Sequence, residues 1–196
     1  YMKQGMILYP GRELAGKCFV EDIGFPEKSL EVHPAAGFTC YVQDFEQLPD
    51  RKNDSNKGTY GKILVIAGSK NMSGAAYFAG RAAYGVGAGL VRILTPEANR
   101  VILQGQLPQA MLSVWEETDA VSLADMLAWA DTLVIGPGIG TSEIMAQRLE
   151  EVFAGSRCPI VLDADGLNLL AEHEEWYPLL TGRAVLTPHM GEMARL

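Results

Sequence analysis

A doubly wound, mostly parallel α/β sheet flanked by helices is the fold class that the sequence predicts. Three observations carry the α/β prediction. Short aliphatic runs without alternation, such as "KILVIAG" at 62–68 and "TLVI" at 132–135, suit strands buried on both faces of a parallel sheet. Each run ends in glycine or polar turn residues, as in "GPGIG" and "DADG". A helical pattern follows most of these turns, and strands alternating with helices build right-handed crossovers.

Taken in order, "KCFVEDIG" (17–24) reads as a strand within an N-terminal segment too short to build a confident core of its own. Residues 41–61 read as a linker or exposed loop, because the polar cluster from Asp50 to Lys57 has almost nothing apolar to bury. After the 62–68 strand, "AAYFAGRAAYGVG" is a helix rich in small residues, "LVRIL" (90–94) a strand and Pro96–Gln106 a second helix. "AMLSVWE" (110–116) is an ambiguous strand, and "SLADMLAWA" (122–130) a helix with Ser122 as N-cap and Asp125 at its third helical position. "TSEIMAQRLEEVFAG" places Met145, Leu149, Val152 and Phe153 on one helical face and ends at Gly155. "CPIVLDADGLNLLAEH" runs from strand through a polar turn into a helix, and "RAVLTPHMGE" supplies the last strand. The organisation is therefore residues 1–50 as one segment with its linker, and 51–196 as the α/β domain.

Composition narrows the function classes. A chain of 196 residues, 48% hydrophobic, can bury roughly 70% of its unfolded surface around one core. Sixteen basic and 24 acidic residues give a net charge of -8, which opposes nonspecific binding to nucleic acid or anionic membranes. A small anionic ligand remains allowed, since helix-start amides hold phosphate without lysine. Cys18, Cys40 and Cys158 are far apart and odd in number, so neither a disulfide framework nor a zinc site is expected, and a reducing cytoplasm is. No apolar run approaches the roughly 20 residues of a membrane span.

In an open α/β sheet, ligands bind beyond the carboxyl ends of the strands. The turns there present Gly68 with Ser69 and Asn71, then Gly136–Gly140, then Asp163, Asp165 and Asn168, then His189 with Glu192. Each has a plainer reading: a tight turn for the glycines, a helix cap or turn for the aspartates, a surface histidine, and a glutamate favouring a helix dipole. Their joint placement raises the functional reading without naming a reaction. "GVGAG" (85–89) precedes a strand and so fails as a dinucleotide fingerprint, and the common phosphate-loop, zinc-helix and serine-nucleophile motifs are absent.

Four ordered motifs give the residues a family. "KGTYGKILVIAGSKNMSGAAYFAGRAAYGVGAGLV", "VIGPGIG", "LDADGLN" and "LTPHMGEMARL" resemble the ADP- or ATP-dependent NAD(P)H-hydrate dehydratases of the ribokinase-like superfamily, over about residues 57–196. "KQGMILYPGRELAGKCFVEDIGFP" is similar to the closing segment of the NAD(P)H-hydrate epimerase domain that precedes the dehydratase in many bacterial proteins. The resemblance implies repair of hydrated NADH or NADPH, with ADP (or ATP) and Mg²⁺ as phosphoryl donor and metal, in a cytoplasmic homo-oligomer. It also implies that Ala75, Gly138 and His189 contact the hydrated dinucleotide, and that Asp165 and Asn168 shape the same cleft.

The family's lysine-glycine nucleotide segment and its "GxGD" turn with the catalytic aspartate follow the "TPHMGE" region, and neither occurs before Leu196. The expectation is a C-terminally incomplete domain that carries no catalytic residue or metal ligand and is inactive alone. A stable small-molecule kinase and a nucleotide-binding module without turnover are the competing readings.

Overall fold

The computed structural model describes residues 2–24, 26–32, 37 and 50–196. Cys40 and residues 41–49 of the expected linker lie outside the described residues. The chain divides into two compact units, Tyr1–Arg51 and Lys52–Leu196.

The first unit contains helices α1 (Gly11–Leu14) and α2 (Glu27–Val32). The strand expected at 17–24 is corrected: no sheet pairing is described there, and Phe19, Val20 and Ile23 are 77%, 56% and 78% exposed. A β-prone run without a partner strand leaves its backbone groups to water.

The second unit is built on six strands: β1 (Lys62–Ile66), β2 (Leu90–Thr95), β3 (Met111–Val114), β4 (Thr132–Ile135), β5 (Ile160–Leu162) and β6 (Ala184–Leu186). Their order is β3-β2-β1-β4-β5-β6, and all five pairings are parallel. Connecting them are α3 (Ser73–Gly85), α4 (Arg100–Gln106), α5 (Ala120–Trp129), α6 (Glu143–Gly155), α7 (Asp165–Glu172) and α8 (Tyr177–Leu180), with α9 (Met190–Met193) after β6. The ambiguous run at 110–116 is thus a short edge strand, and residues 50–57 are exposed as expected.

Strand β1 shows why its run carries no polar alternation. Leu64 and Ile66 enter one core cluster with Leu133, Ile135, Leu149, Phe153, Ile160 and Leu162, while Val65 and Ala67 enter a second with Ala76, Val91, Ile93 and Leu103. Both faces of the sheet therefore need apolar side chains. In the first cluster the four face residues predicted for α6 are all buried, and Phe153 meets Trp176 edge-on at 5.3 Å. Arg183, just before β6, donates to the carbonyls of Leu179, Cys158 and Phe153, tying helix ends to the sheet.

The start of α5 is corrected. Asp119, not Ser122, is the N-cap: its carboxylate accepts from the Ser122 N–H at 2.8 Å, and the Ser122 hydroxyl accepts from the Asp119 N–H at 2.9 Å. Hydrogen bonds from Ser122 hold the Asp119 carboxyl below its usual range. A depressed carboxyl pKa contributes stability above the unfolded value, about 3.9, and loses it as pH falls through the folded one. Asp119→Ala is expected to lower Tm by a few degrees at neutral pH, with the deficit shrinking in acid, as thermal melts across pH would read.

The strand order fixes where a ligand can enter. From β1 the chain winds outward through β2 and β3, then returns to β4 and winds the other way through β5 and β6. The carboxyl ends of β1 and β4 therefore flank a topological switch point, where open α/β sheets leave a crevice.

Candidate functional site

The turns after β1 and β4 meet at that point. The Gly68 N–H donates to the Pro137 carbonyl at 2.8 Å, and the Gly136 N–H to the Ile66 carbonyl at 3.1 Å. Gly138 has φ +66°, and a Cβ built there would lie 2.8 Å from the Ala75 Cβ and 3.3 Å from the Met72 Cβ. The "GPG" turn thus rests directly on the first turn of α3, where Ser73 and Gly74 open the helix without a side-chain cap. Two of the sequence-predicted residues, Ala75 and Gly138, touch.

The turn after β5 makes a second group. Ala164 takes φ 50° and ψ -120°, a strained conformation for a residue with a Cβ. This elbow sends Asp163 and Asp165 in different directions. Asp163 accepts from the Thr187 hydroxyl at 2.8 Å, which links the ends of β5 and β6. Asp165 Oδ2 accepts from the Gly140 N–H at 2.9 Å, Asn168 Nδ2 donates to Asp165 Oδ1 at 3.4 Å, and Arg195 Nε donates to Asn168 Oδ1 at 3.0 Å. Neither aspartate caps α7, whose N-cap position is Ala164 without a side-chain bond. A cavity of about 560 Å³ opens beside this network, lined by Thr141, Asp165, Asn168, Ala171, Glu172 and Arg195. Ala75, Gly138 and His189 are not among its lining residues, so the predicted set falls into parts.

His189 makes the third part. Its Nδ1 accepts from the N–H groups of Gly191 at 2.9 Å and Glu192 at 3.3 Å, while the buried Glu192 carboxylate accepts from the His189 N–H at 2.9 Å. This is a capping box with an imidazole in the place of a hydroxyl or carboxylate. An Nδ1 that accepts two amides leaves Nε2 as the ring nitrogen that can donate. Nε2 lies 3.4 Å from Glu192 Oε1, and the side chain is 68% exposed.

Sequence reasoning missed two supports. Asn99, 1% exposed, donates from Nδ2 to the Ser69 carbonyl at 3.2 Å and the Thr95 hydroxyl at 2.9 Å, pinning the turn after β1. Arg195 reaches Asn168 across 27 residues of chain. Neither sits in a local pattern: Asn99 lies in the polar helix start "PEANR", where nothing marks it for burial. Among the described residues no three His, Cys, Asp or Glu side chains converge on a metal position. No helix among the described residues is long and apolar enough to cross a membrane.

Comparison with known proteins places the chain in a family and supports the fold. Residues 63–196 match the model of the NAD(P)H-hydrate dehydratase family. The chain is 36% identical to the bifunctional NAD(P)H-hydrate repair enzyme Nnr of Moorella thermoacetica, over 99% of this chain and 38% of that protein. It is 41% identical to the ADP-dependent (S)-NAD(P)H-hydrate dehydratase of Lactiplantibacillus plantarum, over 74% of this chain and 52% of that one. Among solved structures, the ADP/ATP-dependent NAD(P)H-hydrate dehydratase of Bacillus subtilis, co-crystallised with ATP and Mg²⁺, superimposes with a TM-score of 0.62 at 35% identity, covering 76% of this chain and 51% of that one. A ribokinase-like superfamily protein of Enterococcus faecalis gives 0.71 at 29% identity, covering 82% and 59%. The chain spans between about two fifths and three fifths of the proteins it matches.

Proposed function

The chain belongs to the NAD(P)H-hydrate dehydratase family, and from that premise we propose that it serves nicotinamide-nucleotide repair. In this reading the hydroxyl of S-hydrated NADH or NADPH takes a phosphoryl group from ADP or ATP supplied with Mg²⁺. Phosphate then leaves with the C–O bond pair, a ring proton is lost, and the reduced cofactor is restored. Hydroxide is a poor leaving group and phosphate a good one, so positioning and charge stabilisation carry most of the chemistry.

The observation that carries this reading is the packing of Gly138 on Ala75 at the switch point. Two positions with little or no side chain leave a flat floor that a nicotinamide ring can approach. In the same reading Asp165, held by the Gly140 N–H, and Asn168 supply polar walls from the neighbouring cavity that they line. His189 acts as a substrate ligand, donating from Nε2, and not as a general base, because its Nδ1 is occupied by the cap.

Residues 1–50 belong to the end of an epimerase-like domain with its linker, and 51–196 to the dehydratase domain. Supporting this, the Moorella bifunctional relative aligns over 99% of the chain and the single-function Lactiplantibacillus dehydratase over 74%. A homo-oligomer in the cytoplasm goes with the same reading, testable by light scattering and cell fractionation.

The direct test supplies S-hydrated NADH, ADP and Mg²⁺ to the whole protein and follows reduced-nicotinamide absorbance together with phosphate release. Recovery of both is expected. Phosphorylated product accumulating without recovery would indicate a small-molecule kinase, and binding without either would indicate a module lacking turnover. His189→Asn is expected to retain the cap and melt within about 2 °C of the parent, yet to lose about ten- to a hundredfold in turnover. Unchanged turnover would remove His189 from the substrate contacts.

A further inference from the structure

A second cavity, of about 270 Å³, lies between the edge strand β3 and α5, lined in part by Arg92, Ser113, Glu117, Ser122, Asp125 and Met126. Strand order puts β2 and β3 on the side of β1 away from β4, so this cavity is separate from the crevice described above. Some of its polar groups are already used. Glu117 pairs with Arg100 at 2.6 Å, and the Ser122 hydroxyl donates to Asp119 at 2.6 Å.

Arg92 and Asp125 are not used in this way. The Arg92 guanidinium stacks over Trp129 at 5.0 Å, and its Nη2 reaches only the Met111 sulfur at 4.0 Å. Its Nε is buried without a hydrogen-bond partner among the described residues. That nitrogen is closed to solvent, so a ligand in the cavity would meet the outer guanidinium nitrogens, and the aromatic face holds the cation without supplying an acceptor. Asp125, one turn before Trp129 on α5, has no ion pair or hydrogen bond described. One fixed cation and one carboxylate, unpaired with each other, thus line the same small cavity beside the apolar side chains of Leu112, Val114 and Met126.

We propose that this cavity binds a small zwitterionic amino acid with an apolar side chain, its carboxylate on Arg92 and its ammonium on Asp125. The volume lies below the roughly 300–1,000 Å³ of drug-sized pockets, which suits a single amino acid. Two opposite charges select against simple anions, because Asp125 would face an anion with no ammonium to meet it.

Isothermal titration calorimetry of the protein with L-leucine tests this, with isocaproate and isoamylamine as close analogues lacking the ammonium and the carboxylate. Leucine is expected to bind at least about tenfold more tightly than either analogue, and Arg92→Met and Asp125→Asn each to weaken it by about tenfold or more. Asp125 is exposed, so its variant keeps the test valid if Arg92→Met fails to fold. The proposal is overturned if leucine gives no heat at millimolar concentration. It is equally overturned if isocaproate binds as tightly as leucine, or if Asp125→Asn leaves leucine binding unchanged.

Discussion

Replacing Gly136 with alanine is expected to leave little folded protein. Gly136 has φ +122°, a region that residues with a Cβ rarely enter, and the added carbon would overlap the Asp163 carbonyl oxygen. It would also sit 2.9 Å from the Gly166 nitrogen. These neighbours are backbone, so no rotamer change relieves the overlap. They are also fixed: the Asp163 N–H donates to the Ile135 carbonyl at 3.0 Å, and the Gly166 N–H to the Asp163 carbonyl at 3.0 Å. Relief requires the ends of β4 and β5 to part, which removes pairing in the middle of the sheet. Strain and overpacking of this kind cost about 4 kcal/mol or more, a large share of a total stability of roughly 5–15 kcal/mol. A Tm lower by about 10 °C, or no soluble protein, is the expected result. A variant melting within about 2 °C of the parent would show that the two turns are less closely packed than described.

That tight contact explains how much of the fold could be read from sequence. The strands were legible because Leu64 to Ile66 and Leu133 to Ile135 lie in the middle of the sheet and must be apolar on one or both faces. The edge strand β3 was ambiguous for the same reason: only Val114 of its four residues is buried. The run at 17–24 looked like a strand because local propensity says nothing of a partner. Helix starts were legible as regions and not as caps: the sequence reading put the cap of α5 at Ser122, and Asp119, three residues earlier, holds that place.

The site was legible where glycine spacing recorded a backbone constraint, and illegible where long-range hydrogen bonds decide. Nothing local says that Asp165 answers the Gly140 N–H and Asp163 the Thr187 hydroxyl, although both aspartates had been weighed as caps. The plain reading of Glu192 was half right. It does stabilise a helix start, by reaching back to the His189 N–H, and in doing so it fixes the imidazole that the functional reading needs. In the proposed reading, structural and functional roles coincide there because the cap occupies Nδ1 and leaves Nε2 as the outer ring nitrogen.

The contact between Gly138 and Ala75 separates those roles most cleanly. Gly138→Ala introduces two costs: the left-handed φ of +66°, about 1 kcal/mol for a residue with a Cβ, and a methyl 2.8 Å from the Ala75 Cβ. Unlike Gly136, its nearest neighbours are side-chain atoms on the first turn of α3, so the turn can lift by a fraction of an ångström and the protein still fold. The crevice floor moves with it. Displacement of that size in a site working by positioning costs about a hundredfold in turnover, with Tm falling only a few degrees. Adding Ala75→Gly removes the methyl that collides and leaves the φ cost in place. The double variant is therefore expected to recover at least about tenfold of the lost activity while gaining little in Tm, because glycine inside a helix costs about 1 kcal/mol relative to alanine. Additive losses in the two single variants, with no recovery in the pair, would show that the contact does not set the floor and that the flat-ring reading of this crevice is wrong.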